Sequence, residues 1–149
     1  MPGSQPIAAM PSDAPAAAAR ASHSRFVQRV QRRYADDLPR LPSGLPDAAA
    51  IGAVIDGLQR DGRTLAQALR VARQLVLERL AVLDVEQGAD MQAVTRTMTA
   101  LAEVTLDRAL AAVLAEQDAR HGVPRNAAGE RIEFWIVGMG KLGARELNV

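Results

Sequence analysis

Toward the end of the sequence, Gly138, Gly140 and Lys141 stand together in the run GMGKLG, a set of residues suited to holding a phosphate. Gly138 and Gly140 let the backbone turn tightly and bring its N–H groups close to an anion. Lys141 adds a point charge for a phosphate. The preceding residues 131–137 (RIEFWIV) are short, apolar and β-branched, which predicts a strand. Residues 142–147 predict the first turns of a helix whose N-terminus faces the same spot. The mundane alternative is a tight strand-to-helix connection with Lys141 in solvent.

The spacing Gly138-x-Gly140-x-x-Gly143 also satisfies the fingerprint of a dinucleotide-binding Rossmann unit. That reading needs a helix, a second parallel strand and an acidic residue about 20 positions further on. Spacing alone leaves the two open. Few other residues invite chemistry. His121 lies beside Gly122 and Pro124 with no second histidine nearby, which reads as a helix-end residue rather than a base or a metal ligand. Glu130, Glu133 and Glu146 form no paired-carboxylate signature, and Glu146 is expected to anchor its helix by a local ion pair. The chain has no cysteine, which excludes disulfides, thiolate metal sites and cysteine nucleophiles.

The elements that must position the glycine run are helical. Residues 1–22 are rich in Ala, Pro and Ser and predict a disordered leader. A helical region is expected over residues 23–121. In HSRFVQRVQRRY, Phe26, Val27 and Val30 form an apolar stripe among Arg25, Arg29, Arg32 and Arg33. That basic face suits an anionic partner or, more simply, solvent. Pro39, Pro42, Gly44 and Pro46 make residues 36–46 a connection that no long helix crosses. Asp47 stands as an N-cap for a helix running to about Arg60, with Ile51, Val54, Ile55 and Leu58 on one side and Asp61-Gly62 ending it.

From Thr64 to about Glu86, Leu65, Leu69, Ala72, Val76, Leu80 and Leu83 recur at helical spacing. Gly88 breaks this helix, and Asp90 caps the next. There Val94, Met98, Leu101, Leu106, Ala109, Leu110 and Val113 extend an apolar face toward Arg120, with Met91 and Met98 as gap fillers. The short connection makes the two an antiparallel hairpin, read as core packing rather than a partner-docking module. Residues 122–131 form a polar loop before the lone strand. A strand without a visible partner leaves backbone groups unpaired, so a sheet from further chain is expected and residues 132–149 read as the truncated start of a domain.

Composition agrees with a mainly helical chain. Alanine inflates the 48% apolar content, and the aromatics are only Phe26, Tyr34, Phe134 and Trp135, so helices built on Leu, Val and Ala are favoured over a β-sandwich. Eighteen basic against 17 acidic residues give a net charge of +1, no electrostatic reason to expect nucleic acid or membrane. The sequence has no run near the length of a membrane span and no signal-peptide pattern, so cytoplasm is the default compartment.

GMGKLGARELNV closely resembles the segment Gly-x-Gly-Lys-Leu-Gly-x-x-Glu-Leu-Asn of the bifunctional glutamine synthetase adenylyltransferase and adenylyl-removing enzymes. The similarity extends upstream through Leu69-Arg70-x-x-Arg73 to Leu80, Leu83-Asp84 and Leu101-Ala102-Glu103, and covers roughly residues 64–149. Family members often carry Gly where Ala144 stands. The resemblance implies a mainly α fragment leading into the first strand-turn-helix of an α+β nucleotidyltransferase fold, in the N-terminal, adenylyl-removing copy of two catalytic domains. It implies ATP and Mg²⁺ as cofactors, the metals held by a Ser-Ser-Asp-x-Asp-Leu segment expected beyond Val149, so that no catalytic residue lies in these 149. The implied partners are glutamine synthetase, whose tyrosine receives AMP and loses it by phosphorolysis to ADP, and a nitrogen-signalling regulatory protein.

Overall fold

The computed structural model describes residues 20–148. The leader expected over residues 1–22 lies outside them except for its last three residues, and those are ordered. They belong to a 3-10 turn, Arg20–His23, whose Ala21 is buried and donates its N–H to the Glu86 carboxylate. One docked N–H and one buried methyl hold a segment that composition alone reads as unstructured.

Four helices follow. Helix α1, Arg25–Arg33, starts where Ser24 Oγ accepts the Val27 N–H, and it buries Val27 and Val30 while its arginines stay outside. A 3-10 turn, Leu38–Arg40, crosses the proline-rich connection. Helix α2, Ala48–Arg60, is capped as predicted: the Asp47 carboxylate accepts the Ala50 N–H at 2.8 Å. Helix α3, Leu65–Gln87, opens on a reciprocal capping box. Thr64 Oγ1 accepts the Gln67 N–H, and Gln67 Oε1 accepts the Thr64 N–H, satisfying two otherwise orphaned donors. It ends where Gly88 turns left-handed at φ +61°. Asp90 then accepts the Ala93 N–H at 3.1 Å and starts helix α4, Met91–His121.

Helix α3 is the centre of the structure, packed on α2, α1 and α4. A single stripe does not serve three neighbours, which is why Ala68, Val71 and Leu75 are buried beside the expected Ala72, Val76 and Leu80. From α2, Ile51, Val54, Ile55 and Leu58 complete the core, each worth about 1.5–3 kcal/mol of burial. Helix α4 contributes only its first half. Val94 and Leu101 are buried, and Met98 packs against them, but Met91 is 70% exposed and Val113 52%, so neither fills a gap in the core. The 31-residue helix outruns the 23-residue α3 beside it, and its second half has no helix to pack on. An Arg108–Asp56 ion pair at 2.9 Å ties its middle to α2.

After Gly122, residues 124–132 form a small hairpin. Asn126 Oδ1 accepts the N–H groups of Ala128 and Glu130, and an isolated bridge joins Arg125 to Arg131. The chain then runs back along α4, tied by Arg131–Asp118 at 2.7 Å and Arg145–Glu103 at 3.8 Å. The predicted strand at residues 132–137 does not form. The segment is extended but no ladder flanks it among the described residues, and Phe134, Trp135 and Val137 are 53%, 79% and 77% exposed. A strand exists only through its neighbours' hydrogen bonds, and none is offered here. No helix among the described residues is long and apolar enough to cross a membrane.

Candidate functional site

The glycine run forms a tight turn in which each glycine meets a different requirement. Gly140 sits at φ +58°, a left-handed conformation costly for any residue with a Cβ. A Cβ on Gly143 would lie 2.5 Å from the Gly138 carbonyl oxygen. A Cβ on Gly138 would meet Leu142 Cγ at 2.9 Å. The two outer glycines thus allow the two ends of the turn to touch. Gly143 was not singled out as a site residue from the sequence; the signal for it was the third position of the Gly-x-Gly-x-x-Gly spacing.

The helix expected over residues 142–147 does not form, and a hydrogen-bonded turn over residues 140–145 stands in its place. The Ala144 N–H returns to the Gly140 carbonyl at 2.9 Å, and the turn is at once closed by Arg145 N–H to Leu142 O at 3.1 Å and Glu146 N–H to Lys141 O at 2.8 Å. This pairing is a Schellman closure, with Arg145 in the left-handed position at φ +59°. A left-handed residue cannot continue a right-handed helix, so the turn stops there. Glu146 makes no ion pair among the described residues and contributes its backbone instead.

Gly138, Gly140 and Lys141 are brought into this one turn. The backbone N–H groups of Lys141, Leu142 and Gly143 donate to nothing among the described residues, which leaves three donors in succession. The Lys141 ammonium donates to Asn148 Oδ1 at 3.3 Å and is exposed. Between the turn and α4 lies a cavity of about 410 Å³ whose wall includes Glu103, Asp107, Gly138, Leu142, Gly143 and Arg145. Its charged residues are two carboxylates and one guanidinium, Arg145, which pairs with Glu103 at 3.8 Å. No group of three or more His, Cys, Asp or Glu side chains that could hold a metal ion stands among the described residues. The turn therefore offers backbone donors and one ammonium but no ligand set for Mg²⁺ among the described residues.

A glycine-rich turn at the end of a helical array, with three successive unbonded amides, marks an α-helical protein that carries a tight glycine turn. Comparison gives that class its family. The family model described as glutamate-ammonia ligase adenylyltransferase matches residues 15–149, and the chain belongs to that family. Among curated relatives, the bifunctional glutamine synthetase adenylyltransferase/adenylyl-removing enzyme of Burkholderia mallei is 45% identical over 107 residues, covering 68% of this chain and 12% of the relative. Its counterpart in Aromatoleum aromaticum is 38% identical over 85% of this chain and 14% of its own length. That of Ralstonia nicotianae is 36% identical over 95% of this chain and 16% of its own. The chain thus spans 12–16% of the length of these relatives. No solved structure matches.

Proposed function

We propose that this chain forms the helical approach and the phosphate turn of an enzyme that regulates glutamine synthetase by reversible adenylylation, in the part that removes AMP. The observation that carries this is the glycine turn: three glycines, each with its own steric requirement, at the end of a family match running over residues 15–149. Free N–H groups at Lys141, Leu142 and Gly143 suit the oxygens of inorganic phosphate or of a nucleotide, and Lys141 supplies charge nearby. Mg²⁺ and ATP are the cofactors of this reading. Bound Mg²⁺ would stabilise charge on the phosphoryl group, but none of the described residues is assigned to hold it. Glutamine synthetase is the proposed protein substrate, and a nitrogen-signalling protein the proposed regulator. The exposed apolar residues 134–137 would gain strand neighbours in a chain of the relatives' length.

The test is phosphorolytic release of AMP from adenylylated glutamine synthetase, read as ADP formed, in a protein extended to the length of the relatives. Gly143→Ala there is expected to lower the rate by more than about tenfold, the effect of misplacing a substrate-binding loop. A rate unchanged by Gly143→Ala and Gly140→Ala would remove the turn from the chemistry. The 149-residue chain alone is expected to release no AMP, and activity from it would overturn the assignment of the metal ligands elsewhere.

A further inference from the structure

A second cavity lies away from the glycine turn. It has a volume of about 730 Å³ and lies between α1 and the first half of α3. Arg29 and Arg33 line it from α1, and Arg63, Arg70 and Arg73 from the start of α3 and the residues before it, with no acidic residue in its wall. Arg29 and Arg33 are one helical turn apart, as are Arg70 and Arg73, so like charges are stacked at spacings that destabilise a helix surface unless something offsets them.

Nothing among the described residues offsets four of the five. Arg29, Arg33, Arg70 and Arg73 take part in no ion pair; Arg29 and Arg33 lie instead over the rings of Phe26 and Tyr34. The nearby carboxylates are engaged elsewhere. Buried Asp37 accepts from Arg40 at 3.2 Å and Arg63 at 2.8 Å, and buried Glu78 accepts from Gln31 at 2.8 Å. Arg63 presents a further signal: its Nη1 is shielded from solvent and has no hydrogen-bond partner among the described residues. The charged residues of the cavity wall are all arginines, so it presents cations with no counter-charge in its lining.

We propose that this cavity binds a small ligand carrying two or more phosphoryl groups. Its volume falls in the range that encloses small molecules rather than the flat area a protein partner buries. Guanidinium forks from two facing elements, with Gln67 and Gln74 between them, match several phosphoryl oxygens at once. The basic face of α1 left an anionic partner open as an alternative to solvent, and α3 adds Arg70 and Arg73 opposite it.

The test is calorimetric titration of the 149-residue chain with inorganic tripolyphosphate, beside sodium sulfate at matched ionic strength and polyglutamate as an acidic polypeptide. Saturable tripolyphosphate binding is expected, weakened by at least about tenfold in the exposed pair Arg70→Gln/Arg73→Gln and again in Arg33→Gln, with helical content unchanged. Binding that survives Arg70→Gln/Arg73→Gln but is lost in Lys141→Ala would place the polyphosphate at the glycine turn and overturn the proposal, leaving the reading of that turn intact. Equal heats from sulfate, or saturable binding of polyglutamate without tripolyphosphate, would overturn it as general screening or a protein-docking surface.

Discussion

Replacing Gly143 by alanine tests the turn geometry most directly. The added Cβ would stand 2.5 Å from the Gly138 carbonyl oxygen and 3.2 Å from its carbonyl carbon. Both are backbone atoms, so no side-chain rotation relieves the overlap and the two ends of the turn must part. Overpacking of this kind costs about 1–3 kcal/mol. The three hydrogen bonds that close the turn, from the N–H groups of Ala144, Arg145 and Glu146, share that opening. Their amide exchange should therefore accelerate by about 5- to 150-fold, at the rate of tenfold per 1.4 kcal/mol. The four-helix core does not contact this overlap, so the amides of α3 should keep their protection. Gly140→Ala should act more mildly, by about 1–2 kcal/mol, through its left-handed φ of +58° alone. Gly44→Ala is the reference, since nothing lies within 4 Å of the added methyl. Exchange at residues 144–146 that is no faster in Gly143→Ala than in Gly44→Ala would refute the steric account of the turn.

Other perturbations report on the scaffold. Leu75→Ala and Ile55→Ala, at fully buried positions where α3 meets α2, should each cost about 2–5 kcal/mol in urea unfolding, whereas exposed Val113→Ala should stay within about 0.5 kcal/mol. Thr64→Ala removes one half of the capping box and should cost about 1 kcal/mol by the same assay. Asp37→Asn leaves Arg40 and Arg63 without their shared buried carboxylate; because both arginines are about a third exposed, about 1–3 kcal/mol is expected rather than the full cost of breaking a buried pair. Trp135, the only tryptophan, is 79% exposed, so its fluorescence should be red-shifted and fully open to acrylamide quenching; a blue-shifted, protected emission would show residues 132–137 buried.

What was legible in the sequence was local. Asp47 and Asp90 as caps, Gly88 as a break and Asp61-Gly62 as an end all depend on backbone groups within a few residues, and all stand where the pattern placed them. Periodicity found the faces of α1 to α4 but not their partners. It paired α3 with α4 as a hairpin, and the two do pack, but it did not show that α2 and α1 also cover α3 or that the second half of α4 is left outside the core. An apolar stripe states that something must cover it, and only the tertiary arrangement says what. Met91 shows the same limit: a correct helical register at the first position of α4 does not put a side chain in the core.

The glycine run divides along the same line. That Gly138 and Gly140 make a turn was legible, because a left-handed φ and a close backbone approach are properties of the residue itself. The strand before it and the helix after it were not, because each depends on something other than its own sequence. Residues 131–137 have the composition of a strand, yet a strand is a set of bonds to neighbours, and with none offered the chain stays extended and wet. Residues 142–147 are good helix formers, yet no helix forms there and Arg145 stands at φ +59°. A non-glycine residue pays roughly 1 kcal/mol or more for that conformation, and its side chain reaches Glu103 on α4. Propensity for α-helix at Ala144, Arg145 and Glu146 is thus set against the Schellman closure of a turn whose shape the three glycines already dictate.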